Sequence, residues 1–119
     1  MQYKHSLVPY LINAFYTWSI DLGFTPLISI KSTLKNQLPE NLQNSDIILN
    51  IHPNSVRNMV FGKDTLSFEA MFDGESFPVI IEHESIIKIF NREDLYGIDL
   101  ASNVEKIKPK FTIVKNEEK

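Results

Sequence analysis

Apolar residues follow a helical period near the start of the chain. Between residues 9 and 22 they recur every three or four positions, which is typical of one face of an α-helix. The predicted stripe consists of Leu11, Ala14, Phe15, Trp18 and Leu22. Pro9 suits the first turn, because the backbone N–H that proline lacks would have no partner there. Gly23 suits the position just after a helix, and Pro26 prevents continuation, so one N-terminal helix is predicted.

Three further apolar residues of this helix, Ile12, Tyr16 and Ile20, lie outside that stripe. A helix that packs on a single sheet needs only one buried face. The additional apolar surface therefore predicts a second contact, for which a second copy of the chain is the hypothesis.

After the helix the apolar period changes to two, which is typical of β-strands. Residues 65–72 alternate most regularly. Their two predicted faces are Leu66, Phe68, Ala70 and Phe72 on one side and Ser67, Glu69 and Met71 on the other. Residues 62–64 and Asp73–Gly74 have the composition of tight turns between antiparallel strands.

Five further stretches complete the predicted β structure. They are residues 26–32, 46–53, 58–61, 76–83 and 84–94, with a polar loop at 33–45 and a turn at 54–58. Whether the last stretch begins with a single helical turn is left open. The predicted fold class is mainly β with one N-terminal helix, as a small bent antiparallel sheet or an Sm-like β-barrel.

The regular period is lost at the end of the chain. Residues 102–107 are predicted to be a linker between a domain at 1–101 and a C-terminal segment at 108–119. Pro109 disfavours a central strand. The apolar residues 111–114 lie between lysines, and two interpretations stay open: the segment adds a strand to the sheet, or it binds another protein.

Composition narrows the class of protein. The chain has 119 residues, 43% hydrophobic and 23% charged, which suits one globular domain. A net charge of −3 argues against a nucleic-acid-binding surface. The absence of cysteine excludes disulfides, thiolate zinc sites and cysteine nucleophiles, and it fits the reducing cytoplasm. No stretch approaches the ~20 apolar residues of a membrane span, and no signal peptide is recognisable.

The candidate catalytic residues are few and scattered. His5, His52 and His83 share no metal-ligand spacing. Acidic residues that could act in catalysis are more often part of a solvated surface; they are Glu82, Glu84, Glu93 and Asp94. No glycine-rich phosphate loop is present. The sequence therefore predicts neither an enzyme nor a bound metal or cofactor.

A peptide-binding groove is better supported than an active site, because small bent sheets can accept an extended peptide. Phe68, Ala70, Met71 and Phe72 offer apolar surface, and the small Ala70 leaves room for a ligand. The alternative is that Phe68 and Phe72 fill the core. Asn50 lies within an apolar strand, so its amide must bond the neighbouring backbone or a bound peptide.

Several segments together resemble one known family. They are "PYLINAFYTW", "IILNI" followed by Pro53, "FEAMFDG", "IIKIFNRED" and the terminal "KPKFTIVK". The first four, over about residues 9 to 97, are similar in order and spacing to the stringent starvation protein B (SspB) family, and the terminal segment also resembles the C-terminal segment of that family. Met71 departs from the arginine that the family often carries, and Asp73 departs from a glycine or lysine.

The resemblance implies an adaptor and not an enzyme. The family binds the ssrA tag, which ribosome rescue adds to stalled nascent proteins, and delivers ssrA-tagged proteins to the ClpXP protease. Its domain is an Sm-like barrel that forms a homodimer through the N-terminal helix, which would involve Ile12, Tyr16 and Ile20. By motif position the tag site would comprise Ile48, Asn50, Phe68, Ala70, Met71 and Phe72.

The C-terminal segment would bind the N-terminal domain of ClpX. The residues implied are Lys108, Pro109, Lys110, Phe111, Ile113, Val114 and Lys115. The family's tail is usually tens of residues long and very acidic, whereas the linker here has only about seven residues. Two other functions stay open: an Sm-like RNA-binding protein, because fold does not determine function, and a structural dimer whose tail completes its own sheet.

Overall fold

The computed structural model describes residues 7–31, 35–43, 45–100, 110, 112 and 114–116. Within them one helix precedes seven strands. The elements are α1 (Val8–Asp21), β1 (Pro26–Lys31), β2 (Asp46–Asn50), β3 (Val56–Phe61), β4 (Thr65–Phe72), β5 (Glu75–Glu82), β6 (Ile86–Asn91) and β7 (Gly97–Asp99). Short 3-10 helices occupy Glu40–Leu42 and His83–Ser85. The mainly β fold with one N-terminal helix is confirmed.

The strands form two antiparallel sheets. One has the order β2-β1-β6-β7 and the other the order β3-β4-β5. Gln37 extends the second sheet, because it exchanges two backbone hydrogen bonds with Ile80 of β5 at 2.8 and 3.1 Å. The prediction of a bent antiparallel architecture is confirmed, but the strands of the described ranges do not close into a barrel.

A single core joins the helix to both sheets. It is built from aliphatic side chains and two phenylalanines, Phe15 of α1 and Phe68 of β4. Its buried apolar members are Ile12, Phe15, Ile28, Ile30, Leu38, Ile51, Val56, Leu66, Phe68, Val79, Ile81, Ile86, Ile89 and Leu100. Residues of the helix and of both sheets contribute to this core, from α1, β1, β4, β5 and β6. The core therefore holds the helix and the β4–β5 hairpin in fixed positions relative to each other.

The helix is rotated relative to its predicted orientation. Its buried residues are Ile12, Phe15 and Ser19, whereas Ala14 and Trp18 of the predicted stripe are exposed. Apolar residues cover more than one face of α1, so periodicity alone does not decide which face packs on the sheet. The branched Ile12 enters the core with 0% exposure, while the larger Trp18 stays outside with its ring 5.3 Å from Phe15.

The predicted end of the helix is confirmed. Gly23 adopts a positive φ of 75°, and its N–H donates to the Ile20 carbonyl at 3.0 Å. The next N–H, that of Phe24, donates to the Ser19 carbonyl at 2.9 Å. These two bonds satisfy carbonyls that would otherwise lack partners at the helix end.

The residues of the turns explain where the strand boundaries agree with those predicted from the sequence and where they differ. Asp73 and Gly74 have φ of 51° and 82° and join β4 to β5 as predicted. The turn expected at 54–58 is wrong in part, because β3 begins at Val56 and contains an irregularity after Arg57. Asn58 takes a left-handed φ of 56° there, a conformation that asparagine adopts more readily than most residues. The strand therefore contains a polar residue that is also typical of turns. The helical turn before β6 is present at His83–Ser85.

Candidate functional site

The inner face of the β4–β5 hairpin continues past the core as a half-buried apolar surface. Leu66 and Phe68 are buried, and the next two residues on the same face, Ala70 and Phe72, are half-buried. Ala70 lies opposite Phe77 of β5. The rings of Phe72 and Phe77 meet edge to face, with centroids 6.3 Å apart. We call Ala70, Phe72 and Phe77 the hairpin rim.

The hairpin rim packs against the common core but keeps part of its surface accessible. Ala70 contributes only a methyl group beside the two phenylalanine side chains, which contact each other. An extended peptide laid along it would cover apolar area that the fold itself leaves in water, which is the main source of favourable free energy in such contacts.

Two predicted site residues lie on other surfaces. Met71 is 62% exposed, and it points to the opposite face of β4 from the rim. Ile48 is 58% exposed, whereas its neighbours Ile47 and Leu49 pack against the core. Alternation along a strand therefore directs Ile48 and Met71 outward from two different sheets. The structure does not bring them together with the rim.

Asn50 uses its side chain within its own turn. Its Oδ1 accepts the backbone N–H of His52 at 2.9 Å, and His52 Nδ1 accepts the N–H of Asn54 at 3.0 Å. Of the two partners considered for the amide, the neighbouring backbone is the one present. Phe68 is 3% exposed, so it belongs to the core, which was the alternative considered for this residue.

Sequence reasoning missed Phe77. The signal was available, because residues 75–82 alternate and place Phe77, Val79 and Ile81 on one face. Counting outward from the Asp73–Gly74 turn puts Phe77 opposite Ala70. Phe77, the cross-strand partner of the predicted groove residue Ala70, could therefore have been predicted from the hairpin sequence alone.

The helix presents a second apolar surface beside its buried face. It is a stripe of exposed or half-buried residues at helical spacing: Leu7, Leu11, Ala14, Trp18 and Leu22. We call it the outer helix stripe. The residues predicted for a dimer interface lie elsewhere: Ile12 is in the core and Ile20 is half-buried. Tyr16 meets Phe61 edge to face at 5.2 Å, and burial raises the pKa of its phenol.

The predicted protease-docking residues fall only partly within the described chain. Lys110, Val114 and Lys115 are exposed. Lys108, Pro109, Phe111 and Ile113 lie outside the described residues, so their positions stay a prediction from the sequence. Where the chain is described, no group of three or more His, Asp or Glu side chains is arranged to hold a metal ion. Across the same residues, no helix has the length and apolar character needed to cross a membrane.

Comparison with known proteins places these features in one family. A family model described as stringent starvation protein B matches residues 6–118. A curated relative, the stringent starvation protein B homolog of Haemophilus influenzae, is 33% identical over 101 residues. That alignment covers 82% of this chain and 67% of the relative. The family match extends over the helix, both sheets and most of the C-terminal segment.

Proposed function

The chain belongs to the stringent starvation protein B family, and from this membership we propose that it is an adaptor of the ClpXP protease. It binds the ssrA degradation tag of rescued nascent proteins and delivers the tagged proteins for degradation. The observation that carries the proposal is the family match over residues 6–118, which includes the rim-bearing hairpin and the C-terminal segment. Recognition of the tag requires an apolar binding surface, and delivery to the protease requires a tether that binds it.

We place the tag on the hairpin rim. An extended peptide on Ala70, Phe72 and Phe77 would cover their accessible surface, and the methyl group of Ala70 leaves space for a peptide side chain. Two aromatic neighbours supply most of the contact area, which is common at the centre of protein interfaces. The acidic residues Asp73 and Glu75 lie next to the rim at the hairpin turn, so basic or neutral tag residues are favoured there.

Dimerisation is assigned to the outer helix stripe. Burial of Trp18 and Leu22 against a second copy would remove large exposed apolar side chains from water. Ala14 at the centre of the stripe allows two helices to approach closely. This surface replaces the set derived from the sequence, because Ile12 is already used inside the chain.

Delivery is assigned to residues 108–119, which would bind the N-terminal domain of ClpX. A linker of about seven residues spans at most ~25 Å. A tether of that length holds the tagged protein near the protease at an effective concentration in the mM range. The tagged protein would therefore be held closer to ClpX than a long acidic tail allows.

The direct test is fluorescence anisotropy with a labelled ssrA-tag peptide and a scrambled peptide of the same composition. We expect saturable binding of the tag and at least tenfold weaker binding of the scramble. A labelled single-stranded RNA oligonucleotide serves as a third probe at low salt. Binding of the RNA in preference to the tag would favour the Sm-like RNA-binding alternative and overturn the adaptor assignment.

A further inference from the structure

A cleft of about 650 Å³ lies at the opposite end of the β4–β5 hairpin from the rim. It opens between the first turns of α1 and the turn that joins β3 to β4. Thr65 and Glu82, which line it, pair at the base of the hairpin, whereas Phe72 and Glu75 pair at the tip. Thr65 and Phe72 are seven positions apart along β4, or about 23 Å. The cleft is therefore distinct from the proposed tag site.

One wall of the cleft is fixed by hydrogen bonds around His83. The His83 backbone N–H donates to the Asp64 carbonyl at 3.2 Å, and its Nε2 lies 2.8 Å from the Gly62 carbonyl oxygen. Because a carbonyl only accepts, Nε2 carries the proton. His83 is buried, and its Nδ1 has no hydrogen-bond partner among the described residues. The wall is thus held in place by hydrogen bonds within the chain.

The lining of the cleft combines apolar surface with negative charge. Tyr10 and Phe61 supply aromatic surface. Three carboxylates line the cleft against the single ammonium of Lys63; they belong to Asp64, Glu82 and Glu84. The Nζ of Lys35 lies 3.8 Å from the Glu84 carboxylate. Both side chains are mostly exposed, so this ion pair neutralises little of the negative charge of the cleft. A complementary ligand carries positive charges together with apolar side chains.

We propose that the cleft binds residues 108–115 of the same chain. This segment, "KPKFTIVK", contains three lysines and the apolar residues Phe111, Ile113 and Val114. Its composition is therefore complementary to the acidic, partly aromatic lining. The described members Lys110, Val114 and Lys115 are exposed, which corresponds to the released state of a two-state equilibrium.

The strand register brings the C-terminal segment to the cleft. In the β6–β7 ladder Gly97 pairs with Phe90 and Asp99 with Lys88, so β7 runs toward the start of β6. The start of β6 directly follows His83–Ser85, which includes the cleft wall. The chain thus leaves β7 at Leu100 within about 10 Å of Glu84. Seven intervening residues span up to ~25 Å, which is enough to place the segment in the cleft.

Docking would restrict access to the segment. A partner that binds residues 108–115 would have to compete with the cleft, and its apparent affinity would fall with the released fraction. The docking itself follows from the cleft, the register and the charges. Only the identity of the competing partner, ClpX, rests on the proposed function.

The absence of cysteine provides a direct test, because Asn116→Cys introduces a single attachment point for a spin label. In the labelled, full-length, ¹⁵N-enriched protein we expect strong loss of the amide signals of Tyr10, Asp64 and Thr65. The signals of Asp73 and Gly74, at the other end of the hairpin, should keep their intensity. Raising the salt concentration from about 0.05 M to about 0.5 M should reduce the effect, because the charges are exposed.

A sample that mixes spin-labelled unenriched protein with unlabelled ¹⁵N protein separates the two possible sources of the segment. Signal loss of equal size in the mixed sample would mean that a second copy supplies the segment, and this would overturn docking within one chain. Uniform signal loss over the surface, or none at the cleft, would overturn the proposal itself.

Charge reversal supplies the matched variants. Asp64→Lys combined with Glu84→Lys should reduce the relaxation effect at Tyr10 at least threefold, while Glu75→Lys at the hairpin tip should not change it. If the double variant fails to fold, reversal of Lys110 and Lys115 to Glu tests the same contact from the segment. Tag binding should be unchanged in the variants with reversed charges at Asp64 and Glu84 or at Lys110 and Lys115, so failure of docking and failure of the adaptor function remain distinguishable.

Discussion

Glu93, in the turn after β6, accepts two hydrogen bonds from Thr25, in the loop before β1. The Thr25 backbone N–H donates to Oε1 at 2.8 Å, and the Thr25 hydroxyl donates to Oε2 at 2.7 Å. Arg92 adds a backbone N–H bond to the Thr25 carbonyl at 2.9 Å. Together these contacts connect the segment that follows α1 to the β6–β7 turn. Glu93 is thus a structural residue here, although the sequence admitted it as a candidate catalytic acid.

The Thr25–Glu93 contact predicts a specific dependence of stability on pH. The hydrogen bonds from the Thr25 backbone and then its hydroxyl lower the pKa of the Glu93 carboxyl. A lowered pKa in the folded state stabilises the protein above the unfolded pKa of about 4.3, and this stabilisation is lost as pH falls through the folded value. Wild type should therefore exceed Glu93→Gln in Tm at pH 7, and the difference should vanish in strong acid.

Thermal unfolding between about pH 7 and pH 2 checks this, with Glu75→Gln at the exposed hairpin turn as the control. The control should follow wild type throughout. If Glu93→Gln keeps the same difference from wild type at every pH, the carboxylate is not the source of the stabilisation.

The hairpin rim predicts that Ala70→Gln weakens tag binding. A larger polar side chain would occupy the space that a bound peptide needs beside Phe77, and overpacking of this kind costs ~1–3 kcal/mol, or about 5- to 150-fold in affinity. Ser76→Gln is the matched control, because Ser76 is exposed on the other face of the same hairpin. Anisotropy with the tag peptide measures both variants. Equal affinity of Ala70→Gln and Ser76→Gln, with unchanged Tm, would remove the rim from the tag site.

The outer helix stripe predicts opposite outcomes for two charge substitutions in α1. Trp18→Glu alters an exposed residue, so it should give a folded monomer in light scattering. Ile12→Glu places an unpaired charge in the core and should prevent folding, as judged by circular dichroism. A dimer that persists in Trp18→Glu would show that the stripe is not the interface. A folded, monomeric Ile12→Glu would instead favour the residues inferred from the sequence.

Gly97 is predicted to tolerate no side chain, although it lies at an exposed position in β7. A Cβ there would come within 2.3 Å of the Ile89 carbonyl oxygen and 2.4 Å of the Phe90 Cβ. Both belong to β6, so relief requires the two strands to move apart. Gly97→Ala should lower stability by ~1–3 kcal/mol, or Tm by several degrees. Tyr96→Ala, one residue earlier and well exposed, should change Tm much less; equal Tm changes would contradict the steric explanation.

Local chemistry explains why some features were predictable from the sequence. Pro9 and Gly23 mark the two ends of the helix. Pro9 lacks a backbone N–H where none would have a partner, and the Gly23 N–H donates to the Ile20 carbonyl at the helix end. Asp73–Gly74 located the hairpin because its positive φ values suit few other pairs of residues. From that turn the whole β4–β5 register follows, including the rim pair Ala70 and Phe77.

The features that were missed depend on contacts between distant segments. Apolar residues surround much of α1, and only packing on β1 and β6 selects Ile12 over Trp18 for the core. The three residues of β7 are too few to show a period, and they form a strand because β6 offers an open edge. Neither fact is contained in the local pattern, so the sequence placed the buried Ile12 on the second apolar surface of the helix, and β7 was not predicted.

Deletion of residues 108–119 separates the two interpretations of the C-terminal segment. As a tether, the segment adds no strand to the sheet, so tag affinity should match wild type and Tm should change little, while ClpXP-dependent degradation of a tagged protein falls to its adaptor-free rate. As an added strand, the segment would contribute backbone hydrogen bonds and apolar burial, so its loss should lower Tm and weaken tag binding together. Restoring the segment behind a longer Gly/Ser linker should restore delivery but lower the effective concentration, which falls roughly as the −3/2 power of linker length. Degradation that does not change with linker length would mean that the segment acts by some means other than holding the tagged protein close to the protease.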